Sequence, residues 1–281
     1  MKPDHLPVSD SARIHTCCVS LVIAVYKRVD FLELVLMSVA RQSFRDLEVI
    51  IAEDDQAAEV SRLIRNVKPD FPFVIKHVSQ EDKGFRKNRI LNGALKVASG
   101  QYVIFIDGDC LLHKKFIEEH VKHLGPDVCL FGRRAMLGRK TSEKLLRKKT
   151  LKGLSFFRLL FTKCRHVENA LYAPWLRSSR KRGIKGSNFS LRRDLMEKIN
   201  GFDEDFEKPY GGEDTDVERR LRMIGVGIVS TKFKTVQYHL YHGGRESRLS
   251  EWESEGKLFC QKKNDEGLWF CKNGLKSSGR T

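Results

Sequence analysis

Proline is scarce in this chain (7 in 281 residues), and no stretch is of low complexity. Long disordered tracts are therefore not expected. The seven cysteines (17, 18, 110, 129, 164, 260 and 271) form no C-x-x-C and no cysteine–histidine pair at zinc-finger spacing. Their odd number and irregular placement fit free thiols in a reducing compartment. No apolar run approaches the roughly 20 residues that span a bilayer. The opening MKPDHLPVSDSARIH lacks the apolar stretch of a signal peptide. These absences lead to the expectation of a soluble, cytoplasmic protein. Acidic residues are also in deficit, 36 against 52 Lys and Arg, giving a net charge of +16. The excess suggests an anionic partner: nucleic acid, an anionic membrane surface or a phosphorylated small molecule. A merely solvated basic surface would look the same.

What is present reads as an α/β chain. VSLVIAVY (19–26) is a continuous apolar run rich in β-branched residues, as in a strand buried on both faces of a parallel sheet. In VDFLELVLMSVARQSF, Leu32, Val35, Leu36 and Val39 recur at helical spacing, with Asp30 as N-cap and Glu33 three residues later. LEVIIA (47–52) reads as a second strand ending on Glu53-Asp54-Asp55, and FVIKHV (73–78) as a third. KNRILNGALKVASG reads as a helix stopped at Ser99-Gly100. QYVIFI follows as a strand that ends at Asp107. Strands alternating with helices predict a mainly parallel sheet flanked by helices. Ligands collect beyond the carboxyl ends of such strands, and both acidic clusters lie there.

Asp107 and Asp109 flank Gly108. Their oxygens and a diphosphate would suit Mg²⁺ or Mn²⁺, although Asp-Gly is also an ordinary turn pair. Further on, YGGEDTDVERRL places Glu213 and Asp214 in the first turn of a helix, after Tyr210, Gly211 and Gly212. The helix dipole favours acids there, and Asp216–Arg220 and Glu218–Arg222 are i,i+4 pairs. A loop-mounted carboxylate facing a bound substrate is also placed to take a proton from a hydroxyl. His239 and His242, ahead of Gly-Gly-Arg, carry imidazoles that suit Mn²⁺ or Zn²⁺. AVYKRVD contains no glycine-rich phosphate loop, which argues against a P-loop ATPase. Gly225-Val-Gly227 follows a helix and is no dinucleotide fingerprint. The strongly basic stretch 133–185 reads either as an amphipathic element on an anionic membrane or as ordinary surface helix.

In order and spacing, VSLVIAVYKR, AEDD, GFRKNRILNGA, IDGD, YGGEDTD and HLYH resemble an inverting family 2 glycosyltransferase of the GT-A fold. The segment 186–225 resembles a C-terminal galactosyltransferase-type module. The resemblance covers roughly 19–245 and implies a polar lead-in at 1–18 and a basic C-terminal extension at 246–281. Within the core it implies a nucleotide-binding half at 19–110 and an acceptor-binding half at 111–245. Val25 and Asp54 or Asp55 would line the base pocket, Asp54 being preferred as a reader of uracil. Arg86, Asn88 and Arg89 would hold nucleotide near the DXD loop. Asp107 and Gly108 would meet ribose or metal, and Asp109 would ligate the metal. His242 would complete the metal shell, with His239 the less favoured choice. Asp214 would be the general base and Glu213 would bind sugar. Tyr210 stands where such galactosyltransferases often have Trp, which leaves the sugar open.

The resemblance further implies a UDP-sugar donor, Mn²⁺ or Mg²⁺, and a glycan or lipid-linked glycan acceptor in surface polysaccharide or lipopolysaccharide synthesis. The enzyme would sit in the cytoplasm or peripherally on the inner face of an anionic membrane. A nucleotidylyltransferase would need a glycine-rich loop after the first strand. A polyanion- or nucleic-acid-binding protein would fit the charge, but no recognised nucleic-acid motif is present. An inactive sugar-binding relative would not need all of these acids.

Overall fold

A computed structural model describes residues 19–178, 183–209, 211–243 and 249–276. From the N-terminus the elements are β1 (Val19–Val25), α1 (Val29–Ala40), β2 (Leu47–Glu53), α2 (Ala58–Val67), β3 (Val74–Ser79) and α3 (Lys87–Val97). Then come β4 (Tyr102–Asp107), β5 (Cys110–Leu112), α4 (Phe116–His123), β6 (Val128–Phe131), β7 (Arg134–Met136), α5 (Arg139–Lys148) and α6 (Phe156–Leu159). The chain continues through β8 (Asn188–Arg192), α7 (Arg193–Lys198), α8 (Glu213–Met223), β9 (Gly227–Ser230), β10 (Gln237–His239) and α9 (Leu249–Asp265).

Seven strands form one sheet in the order β3-β2-β1-β4-β8-β6-β9. The first four run parallel, and β8 is antiparallel to both of its neighbours. The chain leaves β1 toward β2 on one side and returns through α3 to β4 on the other, so β1 is the topological switch point. Register then sets the site: Val25 pairs with Glu53 and Ala24 with Asp107, so three strands end at one level. Along β1 the side chains alternate between two cores. Leu21 and Ile23 pack with α1, while Val22 packs with α3, α7 and α8. The double burial expected of β1 follows from this layering.

A second sheet of three short strands, β5-β10-β7, stands beyond the end of β4. Sequence periodicity does not predict it, because three-residue strands carry no usable pattern. Helix α2 is likewise absent from the sequence reading; it buries only Val60 and Ile64.

Several local expectations are corrected. Asp30 lies in the first turn of α1 rather than at its N-cap, and it is ion-paired with Arg28 at 2.7 Å. Gly100 is not a left-handed cap for α3: Ala98, in extended geometry, ends that helix. A Cβ at Gly100 would lie 2.5 Å from the Ser20 amide nitrogen, so close approach to β1 selects glycine there. The i,i+4 pair Asp216–Arg220 is present at 2.7 Å, but it is buried: Arg220 is 1% exposed. Its Nη1 donates to the carbonyls of Ile199 and Gly201 at 2.7 and 2.8 Å. The chain after α9 packs as far as Lys276. Asn200 Nδ2 donates to Cys271 O at 2.8 Å, and the Leu275 amide donates to Asn200 O at 2.9 Å.

Candidate active site

The turn between β4 and β5 carries Asp107, Gly108 and Asp109. The turn expected of Asp-Gly is present. The Gly108 amide donates to Ala24 O at 2.7 Å, and a Cβ there would meet that oxygen at 2.9 Å. Glycine lets the loop lie flat on the end of β1, and the two carboxylates part to different partners.

Asp109 faces two imidazoles. Its Oδ2 is 3.0 Å from His239 Nε2 and 3.2 Å from His242 Nε2. His239 is buried and His242 exposed, so the less favoured histidine of the sequence reading is the closer one. Their ligating atoms lie within 4.8 Å of one another. Burial alone would raise the Asp109 carboxyl, but hydrogen bonds from both histidines hold it well below the usual carboxylate range. The small sheet makes this cluster: β10 pairs His239 with Cys110 of β5, and the Leu240 amide donates to Asp109 O at 2.9 Å.

Asp107 turns to two cations. Lys87 Nζ is 2.7 Å from its Oδ1, and Arg134 Nη1 is 3.3 Å from its Oδ2. The sequence alone marks neither cation. Lys87 lies inside GFRKNR among other basic residues, with no local signal to set it apart. Arg134, on β7, belonged to a basic stretch with nothing to distinguish it. Burial would depress Lys87, yet Asp107, Glu213 and Asp214 around it more than compensate and hold it above the ordinary lysine range.

Glu213 and Asp214 open α8 after Gly212, whose φ of +85° suits glycine. Burial pushes the Glu213 carboxyl up, against the pull of Lys87. Asp214 Oδ2 accepts the Gly186 amide at 3.3 Å, which brings the 183–188 segment to the site. Gly211 is buried beneath this loop; Tyr210 lies outside the described residues.

At the ends of β1 and β2, the Asp54 amide donates to Val25 O at 2.9 Å. Asp54 accepts from Gln80 Nε2 at 2.5 Å and from the Arg86 amide at 3.0 Å. Burial still pushes its carboxyl up. Asp55 accepts the Lys27 amide at 3.4 Å. The Arg86 guanidinium donates to Glu81 O, and its Nε is buried without a partner among the described residues. Two residues of GFRKNR point elsewhere. Asn88 is buried and donates to Asp203 O at 2.7 Å, tying α3 to the loop after α7. Arg89 is exposed and lines a surface cleft with Glu204 and with Gln80, the partner of Asp54.

An open sheet with its acids at the switch point, extended by a small sheet that carries His239 and leads into His242, has the GT-A architecture of nucleotide-sugar glycosyltransferases. Mannosyltransferase PcManGT from Pyrobaculum calidifontis, solved in complex with GDP-Man and Mn²⁺, matches with a TM-score of 0.64 at 18% identity, over 90% of this chain and 65% of that one. S. aureus TarS 1–349 in complex with UDP-GlcNAc matches with a TM-score of 0.53 at 17% identity, over 87% and 66%. More particularly, the chain belongs to glycosyl transferase family 2, whose family model matches residues 20–181. A second model, described as the N-terminal domain of galactosyltransferase, matches residues 165–243.

Among curated relatives, validoxylamine A glucosyltransferase of Streptomyces hygroscopicus subsp. jinggangensis is 25% identical over 247 residues, 79% of this chain and 55% of that protein. The GalNAc(5)-diNAcBac-PP-undecaprenol beta-1,3-glucosyltransferase of Campylobacter jejuni is 30% identical over 91 residues, 32% of this chain and 29% of that protein. The chain thus spans about half the length of the glucosyltransferase it matches over most of its own. Among the described residues no helix is long and apolar enough to cross a membrane.

Proposed function

We propose that this chain transfers a sugar from a UDP-linked donor to a hydroxyl of a glycan or lipid-linked glycan, with inversion, in surface polysaccharide or lipopolysaccharide synthesis. The observation that carries the reading is the convergence of Asp109, His239 and His242 at the end of β4. One carboxylate and two imidazoles fit a divalent ion such as Mn²⁺, with Asp107 on hand for ribose or for Mg²⁺. When bound, the ion supplies charge that stabilises the departing diphosphate.

The chain's own residues do the rest. Asp54 accepts the N–H of the base, beside Val25 and Asp55. Arg86 anchors the loop that closes this pocket. Lys87 and Arg134 add positive charge beside the donor phosphates, in a site where fixed charges act strongly. Asp214, held by the Gly186 amide, takes the proton of the acceptor hydroxyl as that oxygen attacks the anomeric carbon. The attack comes from the face opposite the nucleotide, so one carboxylate suffices and the anomeric centre inverts. Glu213, whose carboxyl burial pushes up, hydrogen-bonds a sugar hydroxyl. The excess of Lys and Arg supports a position at the inner face of an anionic membrane.

Calorimetric titration of UDP, GDP and ADP into the pure protein, with Mn²⁺ and with EDTA, tests the reading. Metal-dependent binding of UDP alone is expected. Binding of another nucleotide would revise the Asp54 assignment, and binding of none by folded protein would refute the donor site.

A further inference from the structure

The basic middle segment divides into two parts of different character. Helix α5 is an ordinary surface helix: Ser142 and Leu145 are buried, and it packs on α1. The turn formed by α6 and the residues after it does the reverse. Leu159 is buried and Phe156 packs against the core, while Phe157 is 74% exposed, Leu160 47% and Phe161 90%. The turn continues past α6, with the Leu160 amide donating to Phe156 O at 3.1 Å and the Phe161 amide to Arg158 O at 3.3 Å. Positions 157, 160 and 161 are therefore i, i+3 and i+4, on one face. Trp175, further along the same arm, is 78% exposed. Leaving three large aromatics in water is costly unless something covers them.

The charge around them indicates the cover. Between 139 and 178 there are eleven Lys and Arg against two Glu, and the exposed Arg158 and Lys163 interleave with the apolar side chains. A protruding apolar turn is small beside the ~800 Å² per side of a stable protein–protein interface. Aromatic and leucine side chains ringed by Lys and Arg match the layered chemistry of an anionic bilayer surface, apolar beneath phosphate.

The arm is also stitched to the site. Arg165 and Met136 exchange backbone hydrogen bonds at 2.8 and 2.9 Å, Asn169 Nδ2 donates to Arg134 O at 3.1 Å, and Tyr238 Oη donates to Leu154 O at 3.3 Å. Strands β7 and β10, which carry Arg134 and His239, are thus held to the same arm.

The geometry points to Phe157, Leu160 and Phe161 as a wedge that enters an anionic phospholipid surface, with the surrounding Lys and Arg on the headgroups. The wedge holds the active site at a fixed attitude to the membrane. It rests on the glycosyltransfer reading only for what that membrane presents to the site, a lipid-linked acceptor.

The test is flotation of the full chain with vesicles of phosphatidylcholine alone and of phosphatidylcholine mixed with phosphatidylglycerol, at physiological ionic strength. Retention is expected on the mixed vesicles only. F157S/F161S should lower partitioning roughly tenfold or more, with melting temperature and UDP titration unchanged. F161S alone, at the most exposed of the three positions, serves if the double variant fails to fold. No retention of the wild type overturns the proposal. Equal retention of the variants overturns it too, because charge alone would then account for binding. A wild-type dimer in light scattering that the variants dissolve would make the patch a self-association face and also refute it. Loss of UDP binding with vesicle retention intact would sink the glycosyltransfer reading and leave the wedge standing.

Discussion

Lys87 Nζ lies 2.7 Å from Asp107 Oδ1, and the same ammonium is under the influence of Glu213 and Asp214. One cation thus joins acids from the end of β4 to acids at the start of α8, more than a hundred residues later in the chain. It also accounts for the two carboxylates at the end of a buried strand: Asp107 is neutralised by Lys87 and Arg134, and Asp109 faces the histidines. Lys87→Met should therefore lower transfer on the order of 10²-fold and weaken UDP binding, and Lys87→Arg should restore part of both. Wild-type kinetics in the methionine variant would show that the contact is only structural.

Asp109→Ala should abolish metal-dependent UDP binding, read by calorimetry with Mn²⁺ and with EDTA. His239→Gln and His242→Gln should each weaken Mn²⁺ binding by ~10-fold or more, which electron paramagnetic resonance of free Mn²⁺ measures directly. If UDP affinity in the Asp109 variant were the same with and without metal, the cluster would not be a metal site.

Asp214→Asn keeps the shape of the carboxylate and removes its basicity. Donor affinity should stay within about twofold of wild type, while transfer falls by ~10²–10⁴-fold. Turnover close to wild type would assign the base elsewhere.

Gly100→Ala would drive a Cβ to 2.5 Å from the Ser20 amide nitrogen, far from the site. Overpacking of this kind costs about 1–3 kcal/mol. Chemical denaturation should show that loss with donor binding unchanged. A variant as stable as wild type would mean that the start of β1 yields easily.

His120 is buried between Ser190 Oγ at 2.8 Å and Asn188 Oδ1 at 3.1 Å. Burial pushes its pKa down from 6.5 to about 3, with the Asn188 contact opposing. The folded state keeps the ring neutral, whereas the unfolded chain takes up a proton below pH 6.5. Its share of stability is complete above 6.5 and is lost as pH falls from there toward about 3, by up to about 1.4 kcal/mol per pH unit. His120→Gln should flatten that limb in melts followed across this range. An equally steep limb in the variant would place the titration on other groups.

Much of residues 19–110 was legible because the signals there are local. The apolar runs of β1, β2 and β4 carry their own strand propensity, and carboxylates directly after such runs must lie at the sheet's carboxyl edge. The order of AEDD, IDGD, YGGEDTD and HLYH was enough to point to the family, which the match to residues 20–181 shows. Signals failed where a residue's role depends on a distant neighbour. Arg220 forms the i,i+4 pair with Asp216 that its spacing predicts, but the spacing does not reveal that its guanidinium is buried against the carbonyls of Ile199 and Gly201. Asn88 looked like a ligand residue and is instead a tie to Asp203. Gly100 looked like a cap and is a clearance for Ser20.

The sequence by itself determined the alternation of strand and helix, the parallel sheet and the set of acids and histidines at its edge. Those depend on periodicity and on residue chemistry within a few positions. Tertiary structure alone decided which of them meet. The three-stranded sheet of β5, β10 and β7 brings Asp109, His239 and Arg134 together, and α3 turns Lys87 rather than Arg89 toward Asp107. The physical reason is that a contact between residues distant in the chain is set by sheet register and helix rotation. Both are properties of the packed whole, to which no single segment holds the key.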